Sequence, residues 1–329
     1  MANPARTILF QSVGQVGFGE VSVPDPEPGE VLVEVAYSLV SPGTEFRCLD
    51  GKQAGDVVFP FVPGYTATGV VTKSRKPEVA EGTRVLARGT ERVIGANRTW
   101  GGHISHQVTR RVFPLPDGVD LLEVSLARLA AISRRGPIVC QAKPGETVAV
   151  IGLGPIGQLS ARIFHALGCE TAAFDLSPER VALCTKGGVE AHAVEGGLVE
   201  TIRRRFPQGA NIVVESTGVP TVLDQALLAA YDRPWTDFDE AGARVVVQGS
   251  YADQFLGDYD AAFRREVGIF FPRDSQERDV EAMIDWVASG RISVRELIGK
   301  VSKPEEATET YAALRRTPGW ATVAFDWRG

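Results

Sequence analysis

The spacing of apolar positions changes near residue 122. Before that point, apolar residues form short runs and alternations, as in residues 30–37, and proline- and glycine-rich turns such as 24–29 separate them. Alternation with a period of two is typical of half-buried strands. Residues 1–122 are therefore predicted to form an all-β module of the barrel or sandwich kind.

From residue 121 onward the pattern turns helical, and apolar runs then alternate with helical segments. Strands that alternate with helices are connected by right-handed crossovers and form a parallel sheet. Residues 123–272 are therefore predicted to be an α/β domain with a doubly wound parallel sheet. Residues 273–329 predict two helices and a final strand, and we expect them to return and complete the N-terminal module. The predicted helices are 121–141, 177 onward, 198–206, 221–231, 278–289 and 303–316; the predicted strands of the α/β region are 147–151, 171–175, 212–215, 244–249 and 267–271.

A glycine-rich turn joins the first of these strands to a helix. Gly152, Gly154 and Gly157 follow the pattern G-x-G-x-x-G, and Pro155 and Ile156 begin the helical spacing. In such a turn the first glycine permits the sharp bend, the second lets the backbone approach a pyrophosphate, and the third lets the helix pack on its strand. The helix N-terminus offers unpaired N–H groups to phosphate oxygens. The segment predicts a dinucleotide site.

Asp175 ends the next predicted strand and bears on which dinucleotide binds. A carboxylate accepts hydrogen bonds from the ribose hydroxyls of NAD, but it repels a 2′-phosphate by up to roughly 4 kcal/mol. Arg180 is near enough in sequence to reach a phosphate, so NADP stays the less favoured alternative. Further cofactor contacts are expected where other strands end, because open α/β sheets bind ligands at that edge. They are Ser216, Thr217, Gly218, Gln248, Gly249 and Ser250.

Composition narrows the class of protein. The 329 residues suffice for two domains, and a formal charge of −6 gives no electrostatic reason to bind nucleic acid or an anionic membrane. The chain contains no apolar run long enough to span a bilayer and no signal-peptide pattern, so a cytoplasmic protein is expected. The four cysteines are scattered without a C-x-x-C pair. Disulfides and a cysteine-built zinc site are therefore not expected.

Seven short segments of this chain resemble landmarks of the medium-chain dehydrogenase/reductase superfamily. The resemblance covers essentially the whole chain. It implies a GroES-like catalytic domain, a Rossmann domain, and a nicotinamide bound in the cleft between them. The landmarks are 40–45, 61–71, 82–85, 101–106, 143–148, 152–157 and 215–218.

The resemblance also implies that the catalytic metal has been lost. The zinc alcohol dehydrogenases of this superfamily carry metal ligands at the positions of Pro42, Tyr65 and, approximately, Ala127, and residues 88–100 lack the cysteines of their structural zinc lobe. Proline, tyrosine and alanine cannot assemble a three-ligand zinc site. The Ser-Pro-Gly-Thr-Glu loop at 41–45 and the Pro-Gly-Tyr loop at 63–65 most resemble a zinc-independent branch that includes bacteriochlorophyllide hydroxyethyl dehydrogenases and sugar or aminocyclitol dehydrogenases.

Four side chains are candidates for moving the proton. Thr44 stands where the family places its proton-relaying hydroxyl, although it would equally close a Pro-Gly turn. Glu45 is either a general base or a structural residue held by an arginine such as Arg47. Tyr65 would need a positive field, from Arg47 or the oxidised nicotinamide, to act as a base, and otherwise packs under the cofactor. His103 is a candidate because imidazoles in general exchange protons near neutral pH, and the alternative is a strand residue satisfied by backbone groups.

Several other residues are weaker candidates. Arg47 and Trp100 are expected substrate contacts. Arg128, Arg134 and Arg135 crowd the helix before the nucleotide-binding strand, where they contact a phosphate or an anionic substrate, or form a solvated basic face.

The predicted function is a zinc-independent, NAD-dependent dehydrogenase that oxidises a secondary alcohol of a polyol, sugar or aminocyclitol, or reduces the matching ketone. The alternatives are a quinone or enone reductase, a hydroxyethyl-tetrapyrrole dehydrogenase, and a catalytically silent nucleotide-binding protein. The resemblance implies a homodimer, or a tetramer, that pairs through the edge strand near residues 267–271.

Overall fold

A computed structural model describes residues 2–53, 57–234, 242–251 and 257–329, and the chain divides into two compact units. The first comprises Met1–Arg128, Ile284–Ser289 and Ile298–Gly329. The second comprises Leu129–Met283 and Gly290–Leu297. The fold class predicted from the sequence, a β-rich module plus a parallel-sheet α/β domain, is confirmed.

The first unit is built from two sheets. One has the strand order β16-β17-β3-β5-β6-β9 with β8 also paired to β3, and the other has the order β2-β1-β4-β7. The C-terminal strand β17 pairs antiparallel with β3, so the end of the chain returns to a sheet built from strands of residues 31–114. Numbered along the whole chain, the elements of this unit are β1 (Ala2–Ser12), β2 (Gln15–Pro24), β3 (Val31–Leu39), α1 (Pro42–Leu49), β4 (Phe61–Val62), β5 (Ala67–Ser74), β6 (Arg84–Ala87), β7 (Asn97–Arg98), β8 (His106–Thr109), β9 (Val112–Pro114), α2 (Leu121–Val124), β16 (Ile298–Ser302), α10 (Ala307–Arg316) and β17 (Thr322–Asp326).

Helix α1 corrects one expectation. The Ser-Pro-Gly-Thr-Glu segment was expected to be a loop, but Thr44 and Glu45 lie in the first two turns of a helix. Pro42 at the first position fits a helix start because its missing N–H would be unpaired there, and Glu45 places negative charge near the positive end of the helix dipole. A Pro-Gly pair usually indicates a turn. Here the pair is compatible with a helix because Pro42 and Gly43 are its first two residues.

The second unit is a six-stranded parallel sheet with helices on both faces. Its order, β12-β11-β10-β13-β14-β15, reverses direction between β10 and β13. Ligands of such sheets bind where the order reverses, at the carboxyl ends of the strands. The elements are α3 (Ala127–Val139), β10 (Thr147–Ile151), α4 (Pro155–Ala166), β11 (Glu170–Asp175), α5 (Pro178–Lys186), β12 (Glu190–Ala193), α6 (Leu198–Arg205), β13 (Ile212–Glu215), α7 (Pro220–Ala229), β14 (Arg244–Val247), α8 (Tyr259–Arg264), β15 (Gly268–Phe270) and α9 (Glu277–Ala288).

Local signals placed most of these elements correctly. Ser177 caps α5, since its hydroxyl accepts a hydrogen bond from the Arg180 N–H at 3.3 Å, as the Ser-Pro pair predicts. The predicted edge strand is confirmed as β15, the last strand of the described sheet. The short elements β12, α8 and β16 were missed because their apolar patterns are too brief to read.

All four cysteines are free and buried. Burial raises the pKa of the Cys140 thiol to about 12, so it stays protonated near neutral pH. Within the described ranges, no helix has both the length and the apolar character that crossing a membrane requires.

Candidate functional site

The glycine-rich turn has the geometry its three glycines predict. Gly152 has φ +86°, a conformation that favours glycine, and a Cβ there would lie 2.6 Å from Thr217 Cγ2. A Cβ on Gly157 would overlap the Gly152 carbonyl oxygen, so helix α4 can approach its strand only with glycine at 157. A Cβ on Gly154 would meet nothing within 4 Å. The space beside Gly154, at the start of α4, is therefore open to a pyrophosphate.

Asp175 connects this turn to the turn that follows β11. Its carboxylate accepts hydrogen bonds from the backbone N–H groups of Leu153, at 2.6 Å, and Ser177, at 2.8 Å. The Arg180 guanidinium lies 3.8 Å from Asp175 Oδ2. A carboxylate has about four lone-pair sites, so two remain for ribose hydroxyls. Arg180 therefore places a positive charge beside the Asp175 carboxylate.

Glu215 is a buried carboxylate at the end of β13 that sequence reasoning treated only as part of a landmark. Its Oε1 accepts from the N–H groups of Thr217, at 2.6 Å, and Gly218, at 3.2 Å, and also from the Thr217 hydroxyl. Its Oε2 accepts from the Tyr251 hydroxyl at 2.5 Å. Burial, reinforced by this carboxylate, raises the Tyr251 pKa, so the phenol stays a donor. Glu215 therefore fixes the predicted cofactor contacts Thr217 and Gly218.

Ser216 has a polar atom that the protein itself leaves unsatisfied. Its Oγ is buried and has no hydrogen-bond partner among the described residues. Ser216 Cβ lies 3.4 Å from the place where a Cβ on Gly157 would be, so the hydroxyl belongs to the wall of the glycine-rich turn. Buried hydroxyls are normally paired, and a dinucleotide bound at this turn would supply the partner. This observation fits a nucleotide cofactor.

The other predicted cofactor contacts divide into two groups. Gln248 is occupied within the protein, because its amide donates to the Ser133 carbonyl at 2.8 Å and accepts from the Ser160 hydroxyl. It connects the strand end to helices α3 and α4. Gly249 and Ser250 follow it at the carboxyl end of β14, and Ser250 is exposed. Pro155 and Ile156 form the first turn of α4.

In the first unit, three hydroxyl groups lie together, and we call Ser41, Thr44 and Tyr65 the hydroxyl cluster. The Tyr65 hydroxyl donates to Ser41 Oγ at 2.6 Å and is also hydrogen-bonded to Thr44. The Trp100 ring meets the Tyr65 ring edge-on, with centroids 5.5 Å apart. The structure thus brings together two of the predicted catalytic residues and one predicted substrate contact.

The Tyr65 phenol is held in its protonated form. Burial raises its pKa, while the hydrogen bonds to Ser41 and Thr44 and the positive charge of Arg128 oppose that rise. The Arg128 guanidinium lies over the Tyr65 ring, 5.5 Å from its centroid. The sequence suggested Arg47 or the oxidised nicotinamide as the source of a positive field, and the structure places Arg128 over the ring.

Glu45 and His103 lie together beneath this cluster, and both are 0% exposed. Glu45 Oε1 accepts from the Ser41 N–H at 2.7 Å, and Glu45 Oε2 accepts from His103 Nε2 at 2.9 Å and from the Tyr311 hydroxyl. The other ring nitrogen of His103, Nδ1, lies 2.7 Å from Ser38 Oγ. The sequence offered backbone groups as the partners of His103, whereas side chains bind its ring. Sequence reasoning gave no signal for Tyr311.

The remaining arginines of α3 are paired within the second unit. Arg134 and Arg135 form ion pairs with the buried carboxylate of Asp279, at 2.5 and 3.5 Å. These ion pairs hold α3 against α9. The two arginines therefore have a structural role that requires no ligand.

The three positions where zinc ligands were sought carry no suitable donor set. Pro42 has no donor atom, Ala127 is a buried methyl group, and the Tyr65 hydroxyl is already bonded to Ser41. Across the part of the chain that the structure describes, no group of three His, Cys, Asp or Glu residues is placed to hold a metal ion. These residues do not fit a catalytic zinc ion.

Comparison with known proteins agrees with this architecture. A family model described as zinc-binding dehydrogenase matches residues 155–233, within the second unit. The 2-desacetyl-2-hydroxyethyl bacteriochlorophyllide A dehydrogenase of Cereibacter sphaeroides is 24% identical over 331 residues, covering 98% of each chain. The 2-dehydro-3-deoxy-L-galactonate 5-dehydrogenase of Pseudoalteromonas atlantica is 23% identical over 323 residues, covering 89% of this chain and 90% of that one.

A solved structure from Sinorhizobium meliloti 1021, described as a zinc-binding dehydrogenase bound to NADP, shares the fold. It is 22% identical, with a TM-score of 0.83 over 98% of this chain and 99% of that one. The matched family model, the full-length relatives and the shared architecture confirm the resemblance seen in the landmark segments. Over nearly its whole length the chain is similar to medium-chain dehydrogenase/reductase proteins, and the relatives named above are alcohol-type oxidoreductases.

Proposed function

We propose that the protein is an NAD-dependent dehydrogenase that acts on a secondary alcohol of a polyol, sugar or aminocyclitol without a catalytic zinc ion. Two relatives, a hydroxyethyl dehydrogenase and a sugar-acid dehydrogenase, support oxidation of a secondary alcohol. The glycine-rich turn, the unsatisfied Ser216 hydroxyl and Asp175 support a dinucleotide at the second unit.

One observation carries the proposal: a buried phenol stands at the position of a zinc ligand, with two hydroxyls bonded to it and a guanidinium over its ring. When bound, NAD supplies the hydride acceptor. What the chain must supply is a route for the alcohol proton. Tyr65, oriented by Ser41 and Thr44, provides that route in place of a metal-bound oxygen.

Each protonation state of Tyr65 serves one direction of the reaction, and the raised pKa decides which state prevails at a given pH. The protonated phenol donates its proton to a carbonyl oxygen during reduction. Alcohol oxidation requires the proton to leave the alcohol oxygen for the phenolate while a hydride leaves the neighbouring carbon. Because burial raises the Tyr65 pKa, the phenolate is scarce near pH 7, so oxidation should accelerate toward alkaline pH and reduction should slow.

NAD is favoured over NADP because Asp175 presents a carboxylate where the 2′-phosphate would sit. Arg180, 3.8 Å from that carboxylate, is the feature that would let NADP bind as the alternative. Strong preference for NADPH, together with turnover of an enone or quinone, would instead indicate the reductase alternative.

The test uses purified enzyme, NAD or NADP, and a panel of polyols, inositols, sugar acids and 2,3-butanediol, with NADH formation read by absorbance. Replacing Tyr65→Phe should lower kcat by roughly 100-fold or more. The control Tyr37→Phe removes a tyrosine hydroxyl bonded to Arg328 elsewhere in the same unit and should leave kcat unchanged. Stoichiometric zinc in fully active enzyme, or full activity of the Tyr65 variant, would overturn the proposal.

We also propose that two copies associate through the β15 edge. Ile269 is 37% exposed and Phe271 is 55% exposed there, and the stacked rings of Tyr259 and Phe263 on α8 are exposed as well. An exposed apolar sheet edge favours strand pairing. Light scattering should give the mass of a dimer for the wild type and a monomer for Ile269→Lys.

A further inference from the structure

Ser41 links the hydroxyl cluster to the buried acid below it. Its hydroxyl accepts the Tyr65 hydrogen bond at 2.6 Å, while its backbone N–H donates to Glu45 Oε1 at 2.7 Å. Glu45 follows Thr44 directly on α1, so one helix start carries both hydroxyls and the carboxylate. Whatever fixes Glu45 therefore also fixes the groups around the phenol.

Glu45 is fixed by donors from distant parts of the chain. The carboxylate can only accept, so His103 Nε2, 2.9 Å away, must carry a hydrogen. Tyr311, on α10, donates its hydroxyl to the same oxygen. Burial and the neighbouring carboxylate raise the Tyr311 pKa well above its usual value, so this donor is retained at working pH.

The far side of the His103 ring is fixed in turn. Trp327 Nε1 can only donate, and it lies 2.8 Å from Ser38 Oγ, so Ser38 accepts that bond and has its own proton to give. Its partner is His103 Nδ1 at 2.7 Å. This chain of donors assigns the hydrogen of a neutral His103 to Nε2 and directs it at Glu45.

His103 also contacts the backbone next to Tyr65. Gly64 has φ +81°, and a Cβ there would lie 2.7 Å from His103 Cδ2. The imidazole therefore packs directly against the residue that precedes the phenol. This contact is independent of the Glu45 hydrogen bonds and acts on the same side chain.

We propose that Glu45, His103 and Tyr311 are positioning residues that hold Ser41, Thr44 and Tyr65 in the arrangement needed for proton transfer. The inference rests on the proposed function and assigns Glu45 and His103, predicted as catalytic groups, to a supporting role. Neither touches the substrate, because both are wholly enclosed by protein. The C-terminal segment, through Tyr311 and Trp327, thereby completes the support of the proton route.

A double-mutant cycle between Tyr311→Phe and Ser41→Ala tests this. Tyr311→Phe keeps the ring and removes one donor, and we expect kcat to fall about 10-fold while the KM for NAD changes less than about twofold. Ser41→Ala removes the acceptor of the Tyr65 hydroxyl and should cost a similar factor. Because both substitutions disturb the same arrangement of hydroxyls, the kcat of the double variant should fall about 10- to 20-fold. Independent effects would multiply to about 100-fold. Tyr37→Phe is again the matched control.

A spectroscopic measurement keeps the test independent of turnover. The chain has four histidines, so ¹⁵N-histidine spectra are simple, and His103 should give a slowly exchanging ring N–H signal because it is buried. That signal should shift in Tyr311→Phe and also in Glu45→Asp, which keeps the carboxylate but shortens its side chain. It should stay unchanged in Tyr37→Phe.

The outcomes separate this inference from the proposed function. Multiplicative losses in the cycle, or a Tyr311→Phe enzyme with unchanged kcat and an unshifted His103 signal, would overturn the positioning role. Full activity of Tyr65→Phe would overturn the proposed proton route itself. If Tyr311→Phe does not fold, the same cycle with His103→Gln decides, with a multiplicative loss again counting against the inference.

Discussion

Each unit of the molecule contains a fully buried glutamate next to its candidate site, and the two are satisfied in different ways. Glu215, in the second unit, takes backbone N–H groups two and three residues ahead of it and one tyrosine hydroxyl. Glu45, in the first unit, takes one nearby N–H group and two side chains, His103 and Tyr311, that are 58 and 266 residues away.

The contrast shows two solutions to one physical problem. A buried carboxylate is costly unless donors surround it. The turn that follows β13 supplies donors for Glu215 from its own backbone, so this arrangement is assembled wherever the strand, turn and helix form. The hydroxyl cluster depends on donors that arrive only when α10 and the C-terminal end of the chain have folded back onto the first unit.

Replacing each glutamate with glutamine should give the largest difference in unfolding free energy between the two sites. In Glu215→Gln the amide oxygen keeps the two N–H donors, and the Tyr251 hydroxyl can turn to accept from the new NH₂ group. In Glu45→Gln the Tyr311 hydroxyl can turn in the same way, but the NH₂ group must still face a fixed donor, either the His103 Nε2–H or the Ser41 N–H. We expect losses in unfolding free energy of about 1 kcal/mol for the first and about 3 kcal/mol for the second, measured by urea denaturation. Equal losses would contradict the comparison.

Two substitutions in the glycine-rich turn should distinguish effects on protein stability from effects on cofactor binding. Gly157→Ala forces a Cβ into the Gly152 carbonyl, so both the stability and the NAD affinity should fall, the former by about 2 kcal/mol. Gly154→Ala meets no protein atom and has an ordinary φ of −66°, so the protein without NAD should be unchanged or slightly more stable. Its NAD affinity should still drop, because the methyl group enters the space left for pyrophosphate. Calorimetry of both variants measures the two quantities.

Asp175→Asn should sharpen the assignment of cofactor preference. The amide keeps the shape but loses the negative charge, while Arg180 remains. We expect the ratio of kcat/KM for NADP to that for NAD to rise about 10-fold. Because Asp175 also accepts from the Leu153 and Ser177 N–H groups, thermal unfolding serves as the control. An unchanged ratio would mean that Asp175 is only a structural brace.

Arg128→Met should produce the smallest effect, a shift in pH dependence. The Arg128 charge opposes the rise in the Tyr65 pKa, so its removal raises that pKa further. The alkaline rise in alcohol oxidation should then move to higher pH by about half a unit, without a matching shift in Arg110→Met, an exposed arginine of the same unit. A shift toward lower pH would show that another group controls oxidation.

Several features could be predicted because they depend on residues close together in sequence. Gly152 and Gly157 are required by contacts within their own turn, and Ser177 caps the helix it precedes. The alternation of strands and helices predicted the parallel sheet and its edge strand. The helix at Pro42 was missed because Pro-Gly pairs favour turns, although Ser41-Pro42 repeats the Ser-Pro pair that begins α5.

The sequence alone determined the glycine-rich turn and the alternation of strands and helices in the second unit, since each follows from spacing along a short stretch. Thr44 and Tyr65 were found through the family resemblance, and Ser41 was not predicted. Only the tertiary structure decided that Arg128 lies over the Tyr65 ring, and that His103 and Tyr311 are donors to Glu45. The physical reason is the range of the interactions. Backbone geometry and capping act within a few residues, whereas the donors of a buried carboxylate are chosen by whichever segments the folded core brings against it.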